Sequence, residues 1–387
     1  MIYLDYNAST PMAPEVKEAM ILAWDQYGNP SGTHSSARSA ETLFENARAE
    51  IALELGVNPL EVILTSGSTE ALSIALWGKI LGAPTSRTKV LVSAIEHEAV
   101  LATAEVACKI AKKELVIIPV IGFSDSIQVG QVNLEFISEN IGADVALIAV
   151  MAVNNETGII QPIEKVAELA EKFDVPFLCD STQALGKHET FSMSKIPAMF
   201  TVSGHKIYGP KSSGALVMSR ELQKTLVPII PGGGQERGIR GGTLNAASAV
   251  GLAKALKFAQ NDLQDEMRRQ EKLRDRLLTA LAAEFNDSMT SNSGTPTFCL
   301  KNTLNLRFHS ASSDAVLVSL AEVAASRASA CSAGMEEPSH VLLAMGMTSR
   351  EAEESMRFSL GRFTTPTEIE AAIEDVSVAV TRVRALS

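Results

Sequence analysis

Short runs of β-branched and other apolar residues alternate with segments of helical periodicity as far as Met218. We predict strands at Val62–Thr65, Val90–Ile95, Leu115–Val120, Val145–Met151, Val175–Cys179, Met199–Ser203 and Ala215–Met218. An amphipathic helix is predicted after Pro162, with an apolar stripe formed by Ile163, Val166, Ala167, Ala170 and Phe173. This alternation predicts an α/β fold whose largely parallel sheet gathers ligands at the carboxyl ends of its strands.

The pattern changes from about Asn245 to longer helices. Their apolar positions are Leu252, Ala255, Leu256 and Ala259, and then Leu273, Leu277, Leu278 and Leu281. Strand-like runs follow at Leu304–Phe308 and Met356–Leu360. We therefore predict a second, smaller α+β unit that begins in this region.

Composition indicates a soluble globular protein, because 46% of the 387 residues are hydrophobic and 20% are charged. The net charge of −11 argues against direct binding to nucleic acid or to an anionic membrane. The amino terminus lacks the features of a signal peptide, and the longest apolar run, Val145–Val153, is too short to span a bilayer, so we expect a cytoplasmic protein.

The four cysteines are far apart in the sequence, at Cys108, Cys179, Cys299 and Cys331. They form no C-x-x-C pair and have no histidine at the spacing of a metal site, so neither a zinc centre nor a disulfide framework is predicted. At least one of them remains a candidate for a reactive thiol.

Lys206 lies between small residues in the stretch Ser203–Lys211. A buried lysine can form a Schiff base with an aldehyde cofactor if burial or nearby positive charge lowers its pKa, and His205 is a neighbour that can help. The alternative is a turn with exposed cations. A nucleotide-binding loop is disfavoured, because Pro210 interrupts the Gly-Lys-Ser pattern and contributes no backbone N–H.

Polar residues follow several of the predicted strands. Ser66–Thr69 leads into a helix and forms either an anion site or an ordinary helix cap. Asp180 is placed to pair with a protonated pyridine nitrogen and Gln183 to reach the ring oxygen, unless Asp180 caps the next helix. His97 is placed to stack on a ring or shuttle protons, although a lone histidine is more often structural, and Asn154–Gly158 can equally be a plain turn.

Together these segments resemble the class V aminotransferase-like enzymes that depend on pyridoxal phosphate, and within them the cysteine desulfurases of the NifS/IscS type. The resemblance runs nearly end to end. It is carried by Tyr3–Pro11, Gly28–Ser31, Thr65–Glu70, Glu96–His97, Val153–Gly158, Ser203–Lys211, Gly232–Arg237 and Arg357–Arg362.

The resemblance implies a fold-type I homodimer with a seven-stranded, mostly parallel sheet. Its large cofactor-binding domain would span residues 16–255, and its small domain residues 1–15 and 256–387. Lys206 would carry pyridoxal 5'-phosphate, His97 would stack on the ring, and Thr243 would reach the phosphate of the neighbouring subunit. The remaining cofactor contacts would come from Ser68, Thr69, Asn155, Asp180, Gln183, Ser203 and His205.

Two further residues carry the sulfur chemistry that the resemblance implies. Arg357, with Asn155 beside it, would hold the α-carboxylate of L-cysteine, a task suited to a bidentate guanidinium. Cys331 would attack the substrate sulfur and become a persulfide, with His97 and Lys206 transferring protons. The products would be L-alanine and sulfur bound for an acceptor, either an iron–sulfur cluster scaffold or a thiolation protein.

The sequence departs from the family pattern at Arg327 and Ala328, just before Cys331, which bears on the mobility of that loop and on its partner. Gly241 occupies a position at which the family commonly has serine. The sequence ends at Ser387 without the extension that IscS-type members use near their scaffold, so delivery by that route is less expected. Selenocysteine lyase is the main alternative activity. An aminotransferase, which has no use for a loop thiol, and a non-enzymatic binding platform are less favoured.

Overall fold

The computed structural model describes residues 1–123, 127–188, 191–327 and 337–386. The strands are β1 Ile2–Tyr3, β2 Val62–Thr65, β3 Lys89–Ser93, β4 Glu114–Ile118, β5 Val145–Ala149, β6 Phe177–Cys179, β7 Met199–Ser203, β8 Gly214–Val217, β9 Met289–Ser291, β10 Thr303–Phe308, β11 Val323–Ala324, β12 Ser326–Arg327 and β13 Ser355–Ser359.

The helices are α1 Pro14–Trp24, α2 Ser35–Leu55, α3 Ser68–Gly82, α4 Glu98–Ala111, α5 Leu134–Asn140, α6 Ile163–Lys172, α7 Arg220–Lys224, α8 Ala246–Gln260, α9 Leu263–Phe285, α10 Ser313–Ser319, α11 His340–Ala344, α12 Ser349–Glu353 and α13 Pro366–Leu386.

A seven-stranded sheet with the order β2-β8-β7-β6-β5-β3-β4 forms the centre of the molecule. The strands from β7 to β4 are parallel to one another, whereas β8 is antiparallel to both of its neighbours. The predicted mostly parallel seven-stranded sheet is therefore confirmed. All seven predicted strands are present, and β2 and β7 have the predicted bounds.

The sheet is buried on both faces, which explains why its strands are continuously apolar rather than alternating. Leu91 of β3 packs into a cluster with helices α1, α2, α6 and α8. Its neighbours Val90 and Val92 point to the opposite face and pack with α3 and α4. The predicted stripe of α6 is buried at Ile163, Val166, Ala167 and Ala170.

A second, antiparallel sheet has the order β12-β13-β10-β9 and packs with α9 and α13 around its own apolar cluster. Ile2 and Leu4 of the amino terminus join this cluster. The change of pattern at Asn245 does not coincide with a change of core, because α8 packs against α1 and α2 and α9 is the first helix of the smaller cluster. The predicted domain boundaries at residues 15/16 and 255/256 stay a prediction.

Across the described ranges, no helix is long and apolar enough to cross a membrane. The same residues contain no group of three or more histidine, cysteine or acidic side chains arranged to hold a metal ion.

Candidate active site

A cavity of about 560 Å³ opens at the carboxyl ends of the central strands. Ten of the predicted site residues line it: Ser68, Thr69, His97, Asn155, Asp180, Gln183, Ser203, His205, Lys206 and Arg357. They come from segments spread over nearly 300 positions of the sequence. Nine of them lie at the carboxyl ends of central strands, as expected for a parallel sheet, and Arg357 is contributed by β13 of the second sheet.

Lys206 ends a short 3-10 helix, Gly204–Lys206, that directly follows β7. Its Nζ donates to the carbonyl oxygens of Asn7 at 2.7 Å and Ala8 at 2.8 Å. The amino-terminal segment is held there by a hydrogen bond from the Thr10 amide to the His205 carbonyl. Lys206 therefore lines the cavity and contacts backbone acceptors, and it is not an exposed cation of a turn, whereas Lys211 is exposed.

Asp180 follows β6 and is buried at the base of the cavity. Its Oδ1 accepts from the Thr201 hydroxyl at 2.8 Å and from the backbone N–H of Thr182 at 3.0 Å. Both hydrogen bonds are accepted by Oδ1, and no donor among the described residues is found for Oδ2. The carboxylate is thus held in one orientation, and its other oxygen is available to a cationic ligand group.

The segment Ser66–Thr69 forms a cup at the start of α3. Gly67 has a φ of +142°, a conformation that favours glycine, and α3 begins at the next residue, with Ser68, Thr69 and Glu70 lining the cavity. The Ser68 hydroxyl lies 2.6 Å from that of Thr182. Glu70 accepts from the Ser66 amide at 2.7 Å and pairs with Arg240 at 2.6 Å, which fixes the cup from behind.

Two histidines face this cavity in uncharged form. Burial, followed by the charges of Lys206 and Lys211, lowers the pKa of His205 to about 4. Burial also lowers the pKa of His97. The Nδ1 atom of His97 accepts from the Ala99 amide at 3.1 Å, so the proton of the neutral ring is assigned to Nε2.

Arg357 of β13 is only 1% exposed and donates to Asp5 Oδ1 at 2.7 Å and to the Asn155 carbonyl at 3.1 Å. Its Nε is buried and has no hydrogen-bond partner among the described residues. Each Nη carries two N–H groups, so the guanidinium keeps donors for an acceptor in the cavity that Arg357 lines. A carboxylate is the acceptor that a guanidinium matches best.

Thr243 does not line this cavity. It is exposed beside a smaller cavity of about 240 Å³, whose lining includes Ser66 and Ser212 of the main site. Cys331 lies outside the described residues. The chain before it, β12, pairs with β13 so that Ser326 stands opposite Arg357, and Arg327 forms an ion pair with Asp314.

Sequence reasoning assigned no role to three buried polar residues near the cavity. Asn7 is fully buried, and its carbonyl accepts from Lys206. Lys187 donates to Gln183. Glu96 accepts from the amide of Met151 at 2.7 Å. Only Asn7 and Glu96 could have been found from the sequence, because they belong to Tyr3–Pro11 and Glu96–His97, two of the segments that carry the family resemblance.

The aminotransferase class-V family matches residues 2–372 of the chain. A cysteine desulfurase of Frankia sp. (strain EuIK1) is 41% identical over 391 aligned positions, covering 100% of this chain and 93% of that protein. An IscS-like cysteine desulfurase of Mycobacterium tuberculosis is 38% identical, with 99% and 97% covered.

Solved structures agree with this match. A NifS-like protein superposes with a TM-score of 0.89 at 30% identity, covering 98% of this chain and 99% of that one. A structure described as SspA in complex with cysteine has a TM-score of 0.77 at 32% identity, with 94% and 100% covered.

Proposed function

The chain belongs to the aminotransferase class-V family, and we propose that it is a pyridoxal-phosphate-dependent cysteine desulfurase that converts L-cysteine to L-alanine and passes the sulfur to Cys331. The observation that carries the proposal is the convergence of Lys206, Asp180 and Arg357 on one cavity. An amine, a carboxylate and an unsatisfied guanidinium are the groups that this cofactor and an amino-acid substrate require.

The residues present fit pyridoxal phosphate. Lys206 would bind its aldehyde, the free oxygen of Asp180 its protonated ring nitrogen, and Gln183 its ring oxygen. The amides at the start of α3, with Ser68, Thr69, Ser203 and neutral His205, would hold the phosphate. When bound, the cofactor supplies an electron sink for the substrate α-carbon.

Arg357 binds the α-carboxylate of L-cysteine in this proposal, because it lines the cavity and its planar guanidinium matches a carboxylate. Asp5 and the Asn155 carbonyl each accept from one of its two Nη nitrogens, so the guanidinium is oriented before the substrate arrives. This preorganisation removes part of the entropic cost of binding.

Neutral His97 and the amine of Lys206 are the groups placed to move protons at the substrate. His97 lines the cavity and is oriented by the hydrogen bond that its Nδ1 accepts from the Ala99 amide. In the sulfur-transfer step, the Cys331 thiolate forms an S–S bond to the substrate sulfur while the substrate C–S bond breaks. The carbon gains a proton, and the products are L-alanine and a persulfide on Cys331.

We further propose a homodimer in which Thr243 serves the neighbouring subunit, because Thr243 is exposed and outside its own cavity. The sulfur would leave Cys331 for an acceptor protein, an iron–sulfur scaffold or a thiolation protein.

Incubation of the cofactor-loaded protein with L-cysteine tests the activity, with alanine and protein persulfide measured together. Borohydride should fix the cofactor on the peptide that contains Lys206, and labelling at Lys211 would contradict the site. Cys331→Ser should still bind the cofactor and L-cysteine but form no persulfide. Two results together would assign the chain to selenocysteine lyase instead. The wild type would not turn over L-cysteine, and Cys331→Ser would turn over L-selenocysteine at an undiminished rate.

A further inference from the structure

A second amine lies directly behind the cavity, on Lys187. Its Nζ donates to Gln183 Oε1 at 2.5 Å and to Asn7 Oδ1 at 3.2 Å. Lys187 is buried and does not line the cavity itself, whereas both of its partners do. It is therefore placed to act on the site through Gln183 and Asn7.

The number of hydrogen bonds that Lys187 Nζ donates is the number that an uncharged amine can donate. A neutral amine has two N–H donors, and the two oxygens that Lys187 contacts are enough to satisfy them. Burial, with the charges of Lys206 and Arg357, holds the pKa of Lys187 well below its usual range. The site thus gains two donors without a further positive charge beside Lys206.

The amide of Gln183 has one preferred orientation in this arrangement. Its Oε1 accepts from Lys187, and its Nε2 donates one proton to the Asn7 carbonyl at 2.9 Å. Rotation of the amide by half a turn would place Oε1 against the Asn7 carbonyl oxygen, where two acceptors repel. The observed orientation leaves the second N–H of Nε2 for the cavity that Gln183 lines.

Asn7 connects the same amine to Lys206. The Asn7 carbonyl accepts from both Gln183 and Lys206, while its side-chain oxygen accepts from Lys187. Asn7 is fully buried, and its Nδ2 donates to Thr303 at 2.9 Å, so its own amide cannot turn without losing that bond.

We infer that Lys187 is a positioning residue: it fixes the Gln183 amide so that an Nε2 N–H faces the ring oxygen of the bound cofactor. The inference rests on the proposed function. Without Lys187, Oε1 of Gln183 loses its donor, and only the bond from Nε2 to the Asn7 carbonyl still favours the observed orientation. The amide is then held less firmly, so its N–H stabilises the anionic form of the ring oxygen less well and that oxygen becomes more basic.

The experiment is a pH titration of the visible absorbance of the cofactor-loaded protein. In Lys187→Met, the midpoint of the colour change should move to higher pH by about one unit, the size expected for one hydrogen bond. Lys187→Gln keeps a neutral group with two N–H donors and should return the midpoint toward the wild-type value.

Lys79→Met is the matched control. Lys79 is another buried lysine, and its Nζ also donates to two oxygens, Leu222 O at 2.5 Å and Thr225 Oγ1 at 2.7 Å. Neither partner lines the cavity. Lys79→Met should therefore lower stability without moving the midpoint.

A double-mutant cycle with Gln183→Leu separates a local effect from a general one. If Lys187 acts through Gln183, Lys187→Met should add no further shift in the Gln183→Leu background. Where Lys187→Met fails to fold, Lys187→Gln and Lys187→Leu in both backgrounds give the same comparison. Provided that the wild type binds cofactor, three results would overturn the inference. They are an unmoved midpoint in folded Lys187 variants, an equal shift in Lys79→Met, and fully additive shifts for Lys187→Met and Gln183→Leu. A wild-type protein that takes up no cofactor would refute the proposed function and the inference together.

Discussion

Arg48 and Glu236 form a buried, two-pronged ion pair, with Nη1–Oε2 and Nη2–Oε1 distances of 2.8 and 2.7 Å. The pair closes the edge of the central sheet. Arg48 also donates to the carbonyl of Val62, and Glu236 accepts from the amide of Leu64, two outward-facing groups of edge strand β2. The pair therefore supplies partners that an edge strand otherwise lacks, and it holds Glu236 at a φ of 46° in the loop that leads to Thr243.

Removing one member of this pair should be costly. Arg48→Met leaves the Glu236 carboxylate buried and unpaired, and we expect the free energy of unfolding to fall by about 3–5 kcal/mol. Chemical denaturation measures it. Arg276→Met breaks a similarly short pair with Glu370, but that pair is more than half exposed and its loss should change stability little. Equal losses in the two variants would contradict the role assigned to burial.

The pH dependence of stability should report on Glu96. Burial raises the pKa of this carboxyl to about 8, from 4.5 in an unfolded chain. The folded state therefore favours the protonated acid. This contribution is fully present below about pH 4.5 and is lost as the pH rises through about 8.

Glu96→Gln removes the titrating group but keeps the shape. Relative to wild type, its free energy of unfolding should gain roughly 3–5 kcal/mol between pH 5 and pH 8.5. Denaturant titrations of the cofactor-free proteins at the two pH values measure the change. Glu98→Gln, at an exposed position two residues away, is the control and should follow the wild-type curve. A Glu96→Gln curve parallel to wild type would show that the acid is not buried as described.

The central sheet and the main site residues could be predicted because the signal is local. Asp180 and Lys206 each follow an apolar run, and parallel strands bring such positions together whatever the details of packing. The contacts of Asn7, Lys187 and Gln183 could not be predicted in this way. They join residues that are distant in sequence through side-chain orientations that no periodicity encodes.

The sequence was also insufficient to assign α8 to one of the two apolar cores. Its apolar stripe was visible in the sequence, but a stripe does not say which core it enters, and it packs on α1 and α2 rather than with α9.

Arg357→Lys should impair the substrate step while leaving the cofactor bound. An ammonium cannot hold Asp5, the Asn155 carbonyl and a carboxylate in one plane, so kcat/KM for L-cysteine should fall about ten- to hundredfold, or roughly 1.5–3 kcal/mol. Arg307→Lys, in the adjacent strand β10 and paired with Glu351 and Glu354, is the matched control and should leave kcat/KM unchanged. An unaffected Arg357→Lys protein would move the carboxylate site elsewhere.

The position of Thr243 leads to a prediction about subunit exchange. Thr243 is exposed, lies outside its own main cavity, and follows the loop that the Arg48–Glu236 pair holds. If it serves the neighbouring subunit, Lys206→Ala and Thr243→Ala homodimers should each be impaired. A mixed dimer contains one site with Lys206 from the Thr243→Ala subunit and Thr243 from the Lys206→Ala subunit.

That site is wild-type in composition, so up to half of the sites in a mixed dimer should recover tight cofactor binding. Differently tagged subunits allow the mixed species to be purified before cofactor affinity is measured. If Thr243 instead acts within its own subunit, each site of the mixed dimer lacks one of the two groups and nothing is recovered. Recovery therefore depends on contact across the dimer, and its absence in verified mixed dimers would rule out the shared site.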